Sequence, residues 1–188
     1  HDLGWGYCSY AANHLKEKYP NVEFEFIDLG ICGDETKNLL DRLQKDFIDI
    51  QPDVVSILVG VNDMWHHTGD REYDKTFEDN YRKILTAIKE KTKAKIMMLE
   101  PFYLPKPDDE GDNSRREDLI YRIEIERKLA REYADVYLPT DGLLQSAFIG
   151  NDPFTFIGDG THLSARGCEY VGKLYAEYVT PLIDEIIK

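Results

Sequence analysis

The segment Asp53-Val54-Val55-Ser56-Ile57-Leu58-Val59-Gly60 constrains the fold of this chain more than any other. It is almost continuously apolar and β-branched, and a glycine closes it. A run of this kind reads as a strand covered on both faces, and such strands belong to parallel sheets sandwiched between helices. The flanking pattern agrees. Upstream, Tyr7, Tyr10, Ala11, Leu15 and Tyr19 recur at helical spacing until Pro20-Asn21, and Leu39, Leu40, Leu43, Phe47 and Ile50 do so until Gln51-Pro52. Between these two helices Val22, Phe24 and Phe26 alternate with Glu23 and Glu25, predicting a strand with one polar face near a sheet edge. Downstream come a helical stripe (Phe77, Tyr81, Ile84, Leu85, Ile88), an apolar strand over 96–99 and a polar, proline-bearing loop over 101–113. A long helix (Leu119, Ile120, Ile123, Leu129, Ala130, Tyr133), a short strand over 136–138 and a closing helix over 170–186 follow. Strand and helix alternate throughout. The expectation is one α/β domain over residues 1–188, a three-layer α/β/α sandwich around a parallel, flavodoxin-like sheet.

Composition narrows the partners. Lys and Arg number 23 against 36 Asp and Glu, a net charge of −13. Nucleic acid and anionic lipid would be repelled over the whole surface, so neither is expected. No apolar run approaches the ~18 residues of a membrane span. Three cysteines, Cys8, Cys32 and Cys168, are widely spaced without a CxxC pair, which reads as buried free thiols in a cytoplasmic protein. No signal peptide is visible in a chain that opens His1-Asp2-Leu3-Gly4.

In open parallel sheets, ligands bind beyond the carboxyl ends of the strands. Three segments at such positions carry unusual residues: 28–36, 60–65 and 158–164. In the last, Asp159 and His162 stand three apart in a glycine-bearing turn. That spacing lets the carboxylate reach the ring Nδ1, set the tautomer and steady an imidazolium. In the second, Asn62 offers an uncharged amide donor to an oxyanion directly after a strand end. In the first, Gly33 lets a backbone N–H approach a ligand with no Cβ in the way. Each of these residues taken alone is equally a turn residue. Trp65, with Phe102 and Tyr103, forms an apolar wall for a ligand or packs into the core. Asp63, His66, His67 and Asp70 suggest a metal site, but adjacent histidines in general point apart and no HxxxH or HExxH pattern is present. Neither metal nor cofactor is expected.

Together these blocks resemble those of the SGNH hydrolases, also called the GDSL esterase/lipase family. Gly33 matches the glycine of the second block, Gly60 and Asn62 the Gly-x-Asn of the third, and Asp159 and His162 the Asp-x-x-His of the last. The tracts at 60–65 and 100–103, with a Gly-Tyr near the start, are most similar to the acetylxylan-esterase-like branch. The resemblance implies a metal-free serine esterase acting on small, short-chain esters. Acetylated xylo-oligosaccharides come first, ahead of other short-chain esters and lysophospholipids. It also implies roles: His162 as general base, Asp159 orienting it, Gly33 N–H and the Asn62 amide holding the oxyanion, and Trp65 and Tyr103 lining the substrate pocket. There are two departures. Asp28 stands where Asn is usual, and the Gly-Asp-Ser block with the nucleophile is missing from the chain. Ser9 lies inside a helical pattern, Ser56 inside a strand, and Ser164 reads as a helix N-cap, so none replaces it. The resemblance therefore predicts a further strand ahead of His1, ending in Gly-Asp-Ser and lying between the strands at 22–27 and 54–59. The alternative is a non-catalytic carbohydrate-binding module on the same scaffold.

Overall fold

A computed structural model describes residues 3–106 and 110–188. Residues 1–2, part of the opening His1-Asp2-Leu3-Gly4, and residues 107–109, within the expected polar loop, lie outside the described residues. The elements are α1 (Tyr7–Lys18), α2 (Thr36–Asp41), β1 (Val54–Ile57), α3 (Val61–His66), α4 (Tyr73–Lys91), β2 (Lys95–Leu99), α5 (Glu110–Tyr133), β3 (Val136–Leu138), α6 (Thr140–Ala147) and α7 (Ala165–Ile186). α5 thus begins inside the loop expected over 101–113, where Asp112 suits the positive end of the helix dipole.

The three strands form a parallel sheet in the order β1-β2-β3. Val55 lies opposite Ile96 and Ile57 opposite Met98, while Met97 and Leu99 face Val136 and Leu138. Alternation along the strands sends side chains to opposite faces. Val55, Ile57, Ile96 and Met98 pack with Phe77, Tyr81, Ile84, Leu85 and Ile88 of α4 and Leu129 of α5. Met97, Leu99 and Leu138 pack on the other face with Leu15 of α1 and Ala176, Val179, Leu182 and Ile183 of α7. Each fully buried side chain of this kind stabilises by about 1.5–3 kcal/mol relative to exposure. The three-layer arrangement is the expected one.

Four sequence expectations need correction. Residues 23–31 form no strand and carry no regular secondary structure. Phe24 and Phe26 stack at 5.4 Å and pack near Val54 and Leu58 on the α7 face. Among the described residues β1 pairs only with β2, and this segment forms no ladder with it; alternation without hydrogen bonding to a neighbour does not make a strand. For the same reason β1 is not covered on both faces: Val55, Ile57 and Val59 are buried, Val54 and Leu58 half-buried, and Ser56 exposed. The helix expected over 39–50 is divided into α2 and a π-type turn (Gln44–Ile48), which resets the apolar face before the chain enters β1. All three thiols are free, but only Cys168 is buried. Cys8 is half-buried, and Cys32 is exposed in the turn that follows the unpaired segment.

One buried group opposes the fold. Glu126 of α5 is fully buried, and neither carboxyl oxygen has a hydrogen-bond partner among the described residues. Burial, with the charges of Glu100 and Asp63, pushes its carboxyl well above the usual range, so it is held neutral. The raised value means that its contribution is fully present below the unfolded value near 4.5 and is lost as pH rises toward the folded value. Glu126→Gln should therefore raise the melting temperature more at pH 8 than at pH 4.5. Thermal denaturation at the two pH values checks this, and an equal effect at both would show that Glu126 does not titrate differently on folding.

Candidate active site

The loops that leave the carboxyl ends of β1 and β2 meet the 158–164 loop. Gly60 follows β1 and begins α3 with φ +124°, a conformation that L side chains rarely adopt. A Cβ there would also lie 3.2 Å from Pro101 Cγ and 3.5 Å from the Phe77 ring. The resulting sharp turn puts Asn62 in the first turn of α3. Its Nδ2 donates to the Asp34 carbonyl at 3.0 Å, which brings Asn62 beside the segment carrying Gly33. Gly33 itself has φ +89°, with open space where a side chain would stand. Further along α3, Trp65 meets Tyr103 edge to face at 5.7 Å, and the Arg115 guanidinium lies 4.1 Å above the Trp65 ring.

The expected aromatic wall is therefore divided. Trp65 is 37% exposed and presents surface, whereas Tyr103 is 2% exposed and props Trp65 from beneath. Burial and the neighbouring Asp112 push the Tyr103 phenol up to about 12. Phe102 packs with Leu144, Phe156, Ile157 and Val171 in the core.

The 158–164 loop is closed by the Gly158 N–H donating to the His162 carbonyl at 2.9 Å. Ser164 caps α7 by accepting from Gly167 N–H at 3.2 Å, as expected of an N-cap. Leu104 N–H donates to the Gly160 carbonyl at 2.8 Å and so joins this loop to the segment after β2. Within it, Asp159 Oδ1 accepts the backbone N–H groups of Thr161 and His162 at 2.9 and 2.8 Å, and Oδ2 is 2.8 Å from His162 Nδ1. Partial burial pushes the Asp159 carboxyl up, but these hydrogen bonds outweigh it and hold the group at about 2. The Asp159 and His162 side chains are 57% and 72% exposed. Gly33 with Asn62, Trp65 with Tyr103, and Asp159 with His162 are thus three local pairs, linked through residues 101–104.

The residues considered for a metal are engaged elsewhere, and the two histidines do not point apart. His66 Nδ1 and His67 Nε2 each lie 2.8 Å from a different oxygen of Glu35. They reach it because His66 ends α3 and the chain bends at His67, away from the helical path that separates neighbouring side chains. Asp63 is buried and accepts the N–H and hydroxyl of Thr36, the latter at 2.7 Å. Asp70 accepts the backbone N–H groups of Glu72 and Tyr73. Glu35 is the residue that sequence reasoning missed. Its histidine and tyrosine partners lie 31 to 38 positions away, so no local spacing marks it. Burial pushes its carboxyl up, but hydrogen bonds from His66, Lys37, His67 and Tyr73 prevail and hold it at about 2.

Comparison with known proteins bears on the family and the fold. The model of the GDSL-like lipase/acylhydrolase family matches residues 2–170. An acetylxylan esterase of Geobacillus stearothermophilus is 29% identical over 175 residues, covering 88% of this chain and 76% of that protein. Among solved structures, one described as a GDSL-like lipase from Parabacteroides merdae superposes with a TM-score of 0.86 at 29% identity, over 96% of this chain and 84% of that one. The crystal structure of an acetylxylan esterase from Geobacillus stearothermophilus shares the fold with a TM-score of 0.81 at 23% identity, over 96% and 82%. By the family match over nearly its whole length, by its parallel α/β fold and by the order of its blocks, the chain belongs to the GDSL-like lipase/acylhydrolase family of SGNH hydrolases.

Proposed function

We propose that this protein is a serine esterase that removes short acyl groups, acetyl first, from carbohydrate esters such as acetylated xylo-oligosaccharides. Family membership and the acetylxylan esterase relative support a carboxylic ester hydrolase. The observation that carries the reading is the 2.8 Å bond between Asp159 Oδ2 and His162 Nδ1 in an exposed turn. An ionised carboxylate on Nδ1 requires the proton there, which leaves Nε2 as the basic nitrogen on the far side of the ring.

The nucleophile in this reading is a serine on a strand paired with β1. The edge of β1 away from β2 and its half-open face over Val54, Ser56 and Leu58 support a strand there. Ser9 and Ser164 do not serve, because their hydroxyls donate to the Gly6 and Thr155 carbonyls. The serine Oγ attacks the ester carbonyl as His162 Nε2 takes its proton. Oxyanion charge is met by Gly33 N–H and by the second N–H of the Asn62 amide, the first being held by Asp34 O. Collapse expels the alcohol, protonated by His162, and leaves an acyl-enzyme. Water activated by the same histidine then releases the acid. Trp65, 37% exposed beside the Arg115 guanidinium, is the aromatic available for contact with a sugar ring.

The full-length protein should hydrolyse p-nitrophenyl acetate, and a chelator should leave the rate unchanged. Absence of hydrolysis would favour the binding-module reading, and loss on chelation a metal site. His162→Ala should lower kcat by roughly 10⁴-fold or more. Asn62→Ala should lower kcat by roughly 10²–10³-fold with the fold intact by circular dichroism, and a change below about threefold would make it a turn residue only. Asp159 should add no acid-side inflection to the rate until near pH 2. Trp65→Ala should raise KM for an acetylated xylo-oligosaccharide by roughly 2–10-fold while leaving KM for p-nitrophenyl acetate unchanged. Equal effects on both substrates would remove Trp65 from sugar recognition.

A further inference from the structure

The segments that carry Gly33 and Asn62 are bound to each other by more than the Asn62–Asp34 hydrogen bond. Glu35 lies two residues beyond Gly33 and is 3% exposed. Its oxygens are shared among donors from three elements. His66 Nδ1 stands 2.8 Å from Oε1 and His67 Nε2 2.8 Å from Oε2, both from the end of the helix that bears Asn62. The Tyr73 hydroxyl, from the first turn of α4, reaches Oε2 at 3.1 Å, and Lys37 Nζ reaches Oε1 at 2.9 Å. The same hydroxyl lies 3.0 Å from Oδ1 of Asp63, the residue after Asn62. Asp63 in turn accepts from both the N–H and the hydroxyl of Thr36, the residue after Glu35. The His67 and Tyr73 rings stack with centroids 3.4 Å apart and planes 5° from parallel, which fixes both donors.

Residues 35 and 36 are thus cross-bonded to residues 63, 66 and 67. Two carboxylates share one phenol proton, with the Asn62–Asp34 hydrogen bond beside them. The acceptor carboxylate is buried while Lys37 and His66 reach it from half-exposed positions, so the His67, Tyr73 and Asp63 contacts are the best shielded of the set. The stability of α2 and α3 alone does not call for this convergence on a single carboxylate. Its bonds tie the residues that follow Gly33 to the helix that carries Asn62.

We propose that Glu35, with Tyr73, His66 and His67, acts as a positioning group that holds these two donors preorganised for the oxyanion. This inference rests on the esterase reading above. Preorganised donors stabilise charge that develops only in the transition state, so their loosening appears in kcat and not in KM. A misplacement of about 1 Å in such a site costs up to roughly 10²-fold in rate.

The test uses the full-length protein with p-nitrophenyl acetate, measuring kcat, KM and the folded fraction at the assay temperature. Glu35→Gln keeps the shape and removes the charge. Tyr73→Phe removes a single hydroxyl and keeps the question answerable if Glu35→Gln does not fold. Both should lower kcat by roughly tenfold or more, with KM within twofold and the folded fraction unchanged. His66→Asn and His67→Gln, whose amide nitrogens take the places of Nδ1 and Nε2, should recover most of the kcat that His66→Ala and His67→Ala lose. A kcat within twofold of the parent, a fall accounted for by unfolded protein, or no recovery by the amide variants overturns the positioning role. A parent without esterase activity overturns the esterase reading and this inference with it, whereas an active parent with insensitive variants overturns the inference alone.

Discussion

The parallel pairing of β1 with β2, in register from Val54 opposite Lys95 to Ile57 opposite Met98, is the interaction on which the other parts of the molecule depend. Parallel strands need crossover connections, and here α3 and α4 make that connection on one face while α1 and α7 cover the other. Both β1 and β2 then end at the same edge, and the chain leaves each of them toward the candidate site. Gly60 makes the first of these exits as tight as it is, because any side chain there would meet Pro101 in the second exit. The third participant, the 158–164 loop, is tied on by the Leu104–Gly160 backbone hydrogen bond. A shift of β1 by one residue would turn Val55 and Ile57 out of the core and move Asn62 away from Asp34.

The polar interior is sorted by how many donors each carboxylate finds. Glu35 is buried but accepts from His66, Lys37, His67 and Tyr73, and it is held at about 2. Asp159 is exposed and receives three hydrogen bonds from two neighbouring residues, and it too is held at about 2. Glu100 is fully buried and satisfied by Arg127, by the Tyr137 hydroxyl at 3.0 Å and by Gly142 N–H. Glu126 of α5, equally buried, finds no donor among the described residues and is pushed up. For Glu35, Asp159 and Glu126 burial acts in one direction, and the donors they find set Glu35 and Asp159 apart from Glu126.

Much of the fold was legible in the chain, because its signals are local and periodic. The apolar run at 54–59 marked a strand of a parallel sheet, the stripes of α4 and α7 marked helices packed on it, and glycines marked the strand exits. The Asp159–His162 pair was legible for the same reason, since three positions within one turn are set by backbone geometry. What misled was alternation without a partner. Val22, Phe24 and Phe26 carry a strand pattern, but a strand exists only where a neighbour accepts its hydrogen bonds.

Sequence by itself determined the strands of the sheet, the long helices packed on it, the family and the residues of the strand-end blocks, because each is written in residue type and short spacing. Tertiary structure alone decided which distant side chains meet. It placed Asn62 on Asp34, sank Tyr103 beneath Trp65 and left Ser56 exposed on a strand that reads as buried. It also turned two adjacent histidines onto one carboxylate that no spacing singles out. The physical reason is range. Backbone propensity and hydrophobic period act over a few residues, whereas a buried charge is satisfied by whichever donors the packing of the helices brings within about 3 Å of it.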